Sequence, residues 1–106
     1  MTLDEYSKKV SETAIYGGSI LDRLNYTSIA LGGEVGEYLN EYKNYCGRTC
    51  EDPTVPYGKS RTHMLLELGD VLWYLTRTAH ELGSSLAEVA QMNIDKLAVR
   101  YGAAKG

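Results

Sequence analysis

Four acidic residues carry the most distinctive chemistry in this chain: Glu34 and Glu37 in GGEVGEYLNEYK, then Glu67 and Asp70 in LLELGDVLWYL. Each pair is spaced i,i+3 within a segment of helical hydrophobic periodicity. On an α-helix that spacing puts two side chains on one face, about 5–6 Å apart between Cβ atoms. Four like charges brought together repel unless a cation sits among them. Hard oxygen donors with no accompanying His or Cys select Mg²⁺ or Mn²⁺ over zinc. The implied chemistry is that of a small helical enzyme holding a divalent metal against phosphates. A di-iron centre would need Glu-x-x-His motifs inside a bundle. The residues three after Glu34 and Glu67 are Glu37 and Asp70, and neither His63 nor His80 fits, so oxygen chemistry is set aside.

Helices must position these groups, and the sequence marks their ends. Thr2-Leu-Asp-Glu5 is a capping box, in which the Thr side chain and Glu5 satisfy helix-end donors reciprocally. It predicts a helix from about residue 3 to Ile15, stopped at Gly17-Gly18. A second helical stretch is expected from about Asp22 to Tyr45. A third is expected from about Ser60 to Leu82, with Gly83 as its stop. The fourth begins at Ser84 or Ser85, where Ser85-Leu-Ala-Glu88 repeats the capping pattern, and runs to about Tyr101. CGRTCEDPTVPYG, with both prolines, reads as the connecting loop between the second and third. No strand period, repeat or low-complexity tract interrupts this pattern, so the expectation is an all-α bundle of four helices forming one domain over residues 1–106.

Helical geometry at about 100° per residue assigns the faces. In the second helix Leu31, Val35, Tyr38, Leu39 and Tyr42 share a broad face, with Glu34, Glu37 and Glu41 on an adjoining stripe. In the third, Leu65, Leu68, Leu72, Leu75 and Ala79 form the apolar stripe, opposite His63, Glu67, Asp70, Tyr74, Arg77 and Glu81. Polar residues opposite an apolar stripe are ordinarily a solvated face. Here Leu66, Val71 and Trp73 flank the acidic strip, so the third helix is expected to be buried on most sides with the strip turned to a cleft. Gly32, Gly33 and Gly36 each cost about 1 kcal/mol relative to Ala in a helix interior. Either the helix breaks there, or the missing side chains admit another helix or a ligand to the backbone.

Bulk properties narrow the function classes. A chain of 106 residues buries roughly 65% of its unfolded surface, a modest core that oligomerisation would supplement. A formal net charge of −3 argues against binding nucleic acid by phosphate neutralisation. No apolar run approaches the ~20 residues of a membrane span, and MTLDEYSKKV does not read as a secretory signal. A soluble, cytoplasmic protein without a nucleic-acid or membrane partner is the expectation. Cys46 and Cys50, a lone C-x3-C, are read as free thiols rather than a metal or redox site.

These residues resemble the MazG-like all-α nucleotide pyrophosphohydrolase superfamily, whose pattern is Glu-Glu-x-x-Glu on one helix and Glu-x-x-Asp on the next. The resemblance covers residues from about 27 to 101. LGGEVGEYLNEYK is similar to the first motif, with Glu34 and Glu37 matching its last two acids. ELGDVLWYL is similar to the second, with Glu67 and Asp70 in the ligand positions. MNIDKLAVRYG resembles the family's ending, which carries an Asn, a Lys and an Arg. Gly33 stands where the family usually has its first Glu, and the separation from Glu37 to Glu67 is slightly long.

The resemblance implies cleavage of nucleoside triphosphates between the α and β phosphates, giving a monophosphate and pyrophosphate, on an oligomeric bundle. It implies Glu34, Glu37, Glu67 and Asp70 as ligands of Mg²⁺, or of Mn²⁺, with Glu37 or Glu41 positioning the attacking water as general base. Tyr74, one turn beyond Asp70, is the expected phosphate donor. Asn93 falls in the apolar stripe of Leu86, Val89, Ala90, Ile94 and Leu97, so it is expected to be buried, against another helix or against substrate. Lys96 is a candidate phosphate ligand, Arg100 is expected to be merely exposed, and Trp73 and Asn25 are lesser candidates for base recognition. The expected partners are the triphosphate and further copies of the chain, as a homodimer or homotetramer. Two other functions remain open: a phosphoribosyl-ATP-type pyrophosphatase, and a helical interaction or regulatory protein that keeps the scaffold without turnover.

Overall fold

The computed structural model describes residues 1–51 and 57–102, with side chains described outside 48–51 and 57. Every regular element among them is helical: α1 spans Leu3–Thr13, α2 Ile20–Glu51, α3 Tyr57–Glu81 and α4 Leu86–Leu97. A wider π-type turn, Ala98–Gly102, follows α4. The all-α expectation holds.

Local chemistry explains the ends. Thr2 Oγ1 accepts from the Glu5 amide at 3.0 Å while Glu5 Oε1 accepts from the Thr2 amide at 3.2 Å, completing the capping box. The first helix stops at Thr13, earlier than the expected Ile15, and the chain then turns through Gly18 at φ +105°. A Cβ there would meet Asp22 Cβ at 2.9 Å, so only glycine fits. Ser19 and Asp22 exchange two bonds of 3.1 Å, which starts α2 at Ile20 rather than Asp22. At the end of α3, Gly83 adopts φ +75° and the amides of Ser84 and Gly83 close back onto the carbonyls of Ala79 and His80, each at 2.9 Å. This is a Schellman ending. The Ser85 hydroxyl accepts from the Glu88 amide at 3.1 Å, but the Glu88 carboxylate turns to Ser84 Oγ at 2.8 Å, so only half of the expected second capping box forms.

One expectation on length is corrected, and one of two alternatives is decided. The loop foreseen over 46–58 is helical up to Glu51 and again from Tyr57; Cys46 therefore lies in α2 as a free, half-buried thiol. The side chain of Cys50 lies outside the described residues. Nor does α2 break at its glycines. It runs on through Gly32, Gly33 and Gly36, and among the described residues no atom beyond the adjoining turns of α2 itself would lie within 4 Å of a Cβ at any of them. The close approach that glycines permit is not made within one chain.

Packing is uneven. The main contact is α2 against α3, while α1 lies on α3 and α4, and α4 lies on α1 and α3 without reaching α2. Val10, Ala79 and Leu86 form the buried apolar centre at the α1–α3–α4 junction. Beyond it the outer half of the α2–α3 pair stands free: Val35, Leu39 and Tyr42 on α2 and Leu65, Leu66 and Leu68 on α3 are exposed. The expectation that α3 is buried on most sides holds only from Val71 onward, because α1 and α4 cover that half alone.

Candidate metal centre and aromatic cleft

The acidic stripes of α2 and α3 do meet. One carboxylate oxygen each from Glu34, Glu67 and Asp70 falls within 4.8 Å of the others. Glu34 and Glu67 are half-buried and Asp70 is exposed. Among the described residues none of the three forms an ion pair or side-chain hydrogen bond, so their charge is uncompensated. Burial, then the charges of Asp70, Glu67 and Glu37, push the Glu34 carboxyl above its ordinary range. Such an all-oxygen, anionic donor set from two rigid helices fits a hard divalent cation. Glu37 contributes to this field but is exposed and stands outside the close group. Glu41, a turn further along α2, faces His63, with Oε2 and Nδ1 4.0 Å apart.

Next to the acids a cleft of about 510 Å³ opens, lined by Thr13, Ile15, Tyr16, Tyr26, Glu34, Asp70, Trp73 and Tyr74. Its volume suits a small-molecule site. Tyr74 lies on its wall; its hydroxyl lies 3.2 Å from that of Tyr26. That bond, then burial and the nearby charges of Glu34 and Asp70, pushes the Tyr74 phenol up to about 12, so it remains a proton donor. Trp73 is on the wall as well. Asn25 is exposed and does not line the cleft.

The aromatic residues complete a circuit. Ring centroids lie 5.2 Å apart for Tyr16–Tyr26, 6.0 Å for Tyr26–Tyr74, 4.8 Å for Tyr74–Trp73 and 6.4 Å for Trp73–Tyr16. Behind the wall, Glu81 has a side chain only 4% exposed and binds Arg23 at 3.0 Å and Arg77 at 3.5 Å. Burial alone would raise the Glu81 pKa; hydrogen bonds from Tyr16 and Arg23 and the Arg23 charge outweigh it and hold the carboxyl low. Sequence reading missed Tyr16, Tyr26 and this network. Tyr26 precedes Glu34 by about two turns on α2, a usable signal, but Tyr16 sits in a non-helical connection where no periodicity applies.

The fourth helix does not join the cleft. Asn93 is exposed rather than buried, and Lys96 and Arg100 are exposed too. Along the apolar stripe around Asn93 Leu86 is buried and Ala90 and Leu97 are half-buried, while Val89 and Ile94 stay open; α4 leans on α1 and α3 alone.

The profile of the MazG nucleotide pyrophosphohydrolase domain matches residues 25–103, a span that holds all three clustered carboxylates and most of the aromatic wall. The chain belongs to the MazG nucleotide pyrophosphohydrolase domain family. It is 35% identical over 104 residues to the "Gene 37 protein" of Mycobacterium phage L5, covering 94% of this chain and 89% of that one. No solved structure matches it.

Proposed function

We propose that this protein is a Mg²⁺-dependent pyrophosphohydrolase that cleaves a nucleoside triphosphate, ribo- or deoxyribo-, between the α and β phosphates to a monophosphate and pyrophosphate. One observation carries the reading: three carboxylates from two helices converge within 4.8 Å, unpaired, at the edge of an aromatic cleft. Glu34, Glu67 and Asp70 would hold the metal, with Glu37 as the fourth acid. A bound Mg²⁺ supplies charge neutralisation of the phosphates and a more acidic water. Glu37 or Glu41 takes up the proton of the attacking water as general base. Tyr74, kept protonated, donates to the phosphate or sugar end of the substrate. Asn93 and Lys96 stand apart from the cleft of their own chain; as substrate ligands they would serve a neighbouring copy in a homodimer or homotetramer. The setting proposed is the cytoplasm, where triphosphates and Mg²⁺ occur together.

The test is pyrophosphate release from a panel of NTPs and dNTPs with Mg²⁺ or Mn²⁺. No release from any of them overturns the proposal. The missing acid at Gly33 favours a second reading, a scaffold that binds nucleotide without turnover. Metal titration separates that from a mere solvated acidic face, which would bind Mg²⁺ no better than millimolar and gain little thermal stability.

A further inference from the structure

Away from the acid group, α1, α3 and the entry to α4 enclose a second cavity of about 90 Å³, the room of about three waters at ~30 Å³ each. It shares no lining residue with the aromatic cleft. Ser7 comes from α1, Arg77 and His80 from α3, and Ser85 from the start of α4; no Asp or Glu lines it. Ser7 Oγ is buried there and has no hydrogen-bond partner among the described residues, a costly arrangement for a hydroxyl that could be paired. Ser85 Oγ accepts from the Glu88 amide at 3.1 Å, which leaves its own proton free to donate. The Leu86 and Ala87 amides, in the same first turn, have no acceptor within the helix, and that end of α4 carries partial positive charge.

Charge points the same way. Among the described residues Glu81 is the carboxylate that pairs with Arg77, and it is shared with Arg23. Two guanidinium groups meeting one carboxylate leave a positive charge over. The Arg77 side chain is only 11% exposed, so solvent ions screen that charge poorly. We propose that this cavity binds one small tetrahedral oxyanion of the phosphate or sulfate class, held by Ser7, Arg77, His80 and the first turn of α4. Water fills the space without answering the surplus charge; an oxyanion does both, and it gives Ser7 Oγ an acceptor. The bound anion touches α1, α3 and α4 at once, so it tightens the junction where Val10, Ala79 and Leu86 form the core and stabilises the folded chain.

The test uses the full-length protein in EDTA, where the acid group has no metal through which to hold a phosphate. Sodium phosphate and sodium sulfate are titrated in, with sodium chloride at matched ionic strength as the control. The chain has 2 histidines: His63 beside Glu41 on the α2–α3 pair, and His80 in this cavity. Their ring resonances in NMR spectra therefore report where the anion goes. The expected result is a saturable shift of His80 alone, one site per chain, with an unfolding temperature that rises beyond the chloride control. Ser7→Ala removes the unpaired hydroxyl, so without oxyanion it unfolds at the same temperature as wild type or higher, while its oxyanion affinity falls about ten- to a hundredfold. Three results overturn the proposal: no saturation beyond chloride, equal movement of both histidines, or wild-type affinity in Ser7→Ala. If Ser7→Ala does not fold, the wild-type histidine series decides alone. Binding in EDTA stands or falls independently of pyrophosphate release with Mg²⁺, so failure of one reading leaves the other intact.

Discussion

At the scale of single residues, the acid group is a place where stability and function oppose each other. Glu34, Glu67 and Asp70 repel in the metal-free protein, and burial makes the Glu34 charge more costly still. Neutralising one of them relieves that repulsion. Glu67→Gln or Asp70→Asn is expected to unfold at the same or a higher temperature than wild type in EDTA, by an amount worth on the order of 0.5–1 kcal/mol. Either variant loses the stabilisation that Mg²⁺ gives wild type, along with pyrophosphate release, by at least about a hundredfold. Thermal scans with EDTA and with Mg²⁺ check this; a variant that still gains fully from Mg²⁺ would remove its residue from the ligand set.

At the scale of elements, two glycines make opposite predictions for the same helix. Gly18, at φ +105° with Asp22 Cβ 2.9 Å from a built Cβ, shapes the entry to α2. Gly18→Ala should cost about 1–3 kcal/mol. Gly33 lies in the helix interior with nothing within 4 Å, so Gly33→Ala should stabilise by about 0.5–1 kcal/mol. Urea unfolding measures both. Glu81 ties the α1–α2 connection, through Tyr16, and α2, through Arg23, to α3. Its folded-state pKa is depressed, so it stabilises the fold above its ordinary value of 4.5 and loses that contribution as pH falls through the lower folded value. Removing the carboxylate strands two arginines: Glu81→Gln should cost about 3 kcal/mol at pH 7. Its deficit against wild type should shrink below pH 4.5, as urea midpoints at pH 7 and pH 3 would show.

At the scale of the whole molecule, one chain is open for its mass. It exposes 7601 Å², against about 5,900 Å² for a folded monomer of its mass. Its radius of gyration is 17.4 Å, where about 13 Å is ordinary for this length. The excess exceeds the ~800 Å² per partner of a standard protein interface, and exposed Leu39 (54%) and Leu66 (65%) lie on the free half of the α2–α3 pair. A homodimer or homotetramer is expected by light scattering, with an unfolding temperature that rises with protein concentration. Leu39→Glu should shift the species toward monomer. A wild-type monomer at all concentrations would refute this.

The helices, their caps and the two acidic pairs were legible in the sequence because they depend on local spacing: 3.6-residue periodicity, capping residues and glycine stops act within a few positions. The i,i+3 pairs could be placed on helix faces for the same reason. Which faces meet is a longer-range matter. Only tertiary packing brought Glu34 to Glu67 and Asp70 while leaving Glu37 outside, and only it turned Tyr16, from a non-helical connection, into the cleft beside Trp73. It also left Asn93 in water, because its apolar stripe describes a contact that α4 of a single chain does not make. Periodicity records that a surface is meant to be covered; what covers it is decided by partners distant in sequence or on another molecule.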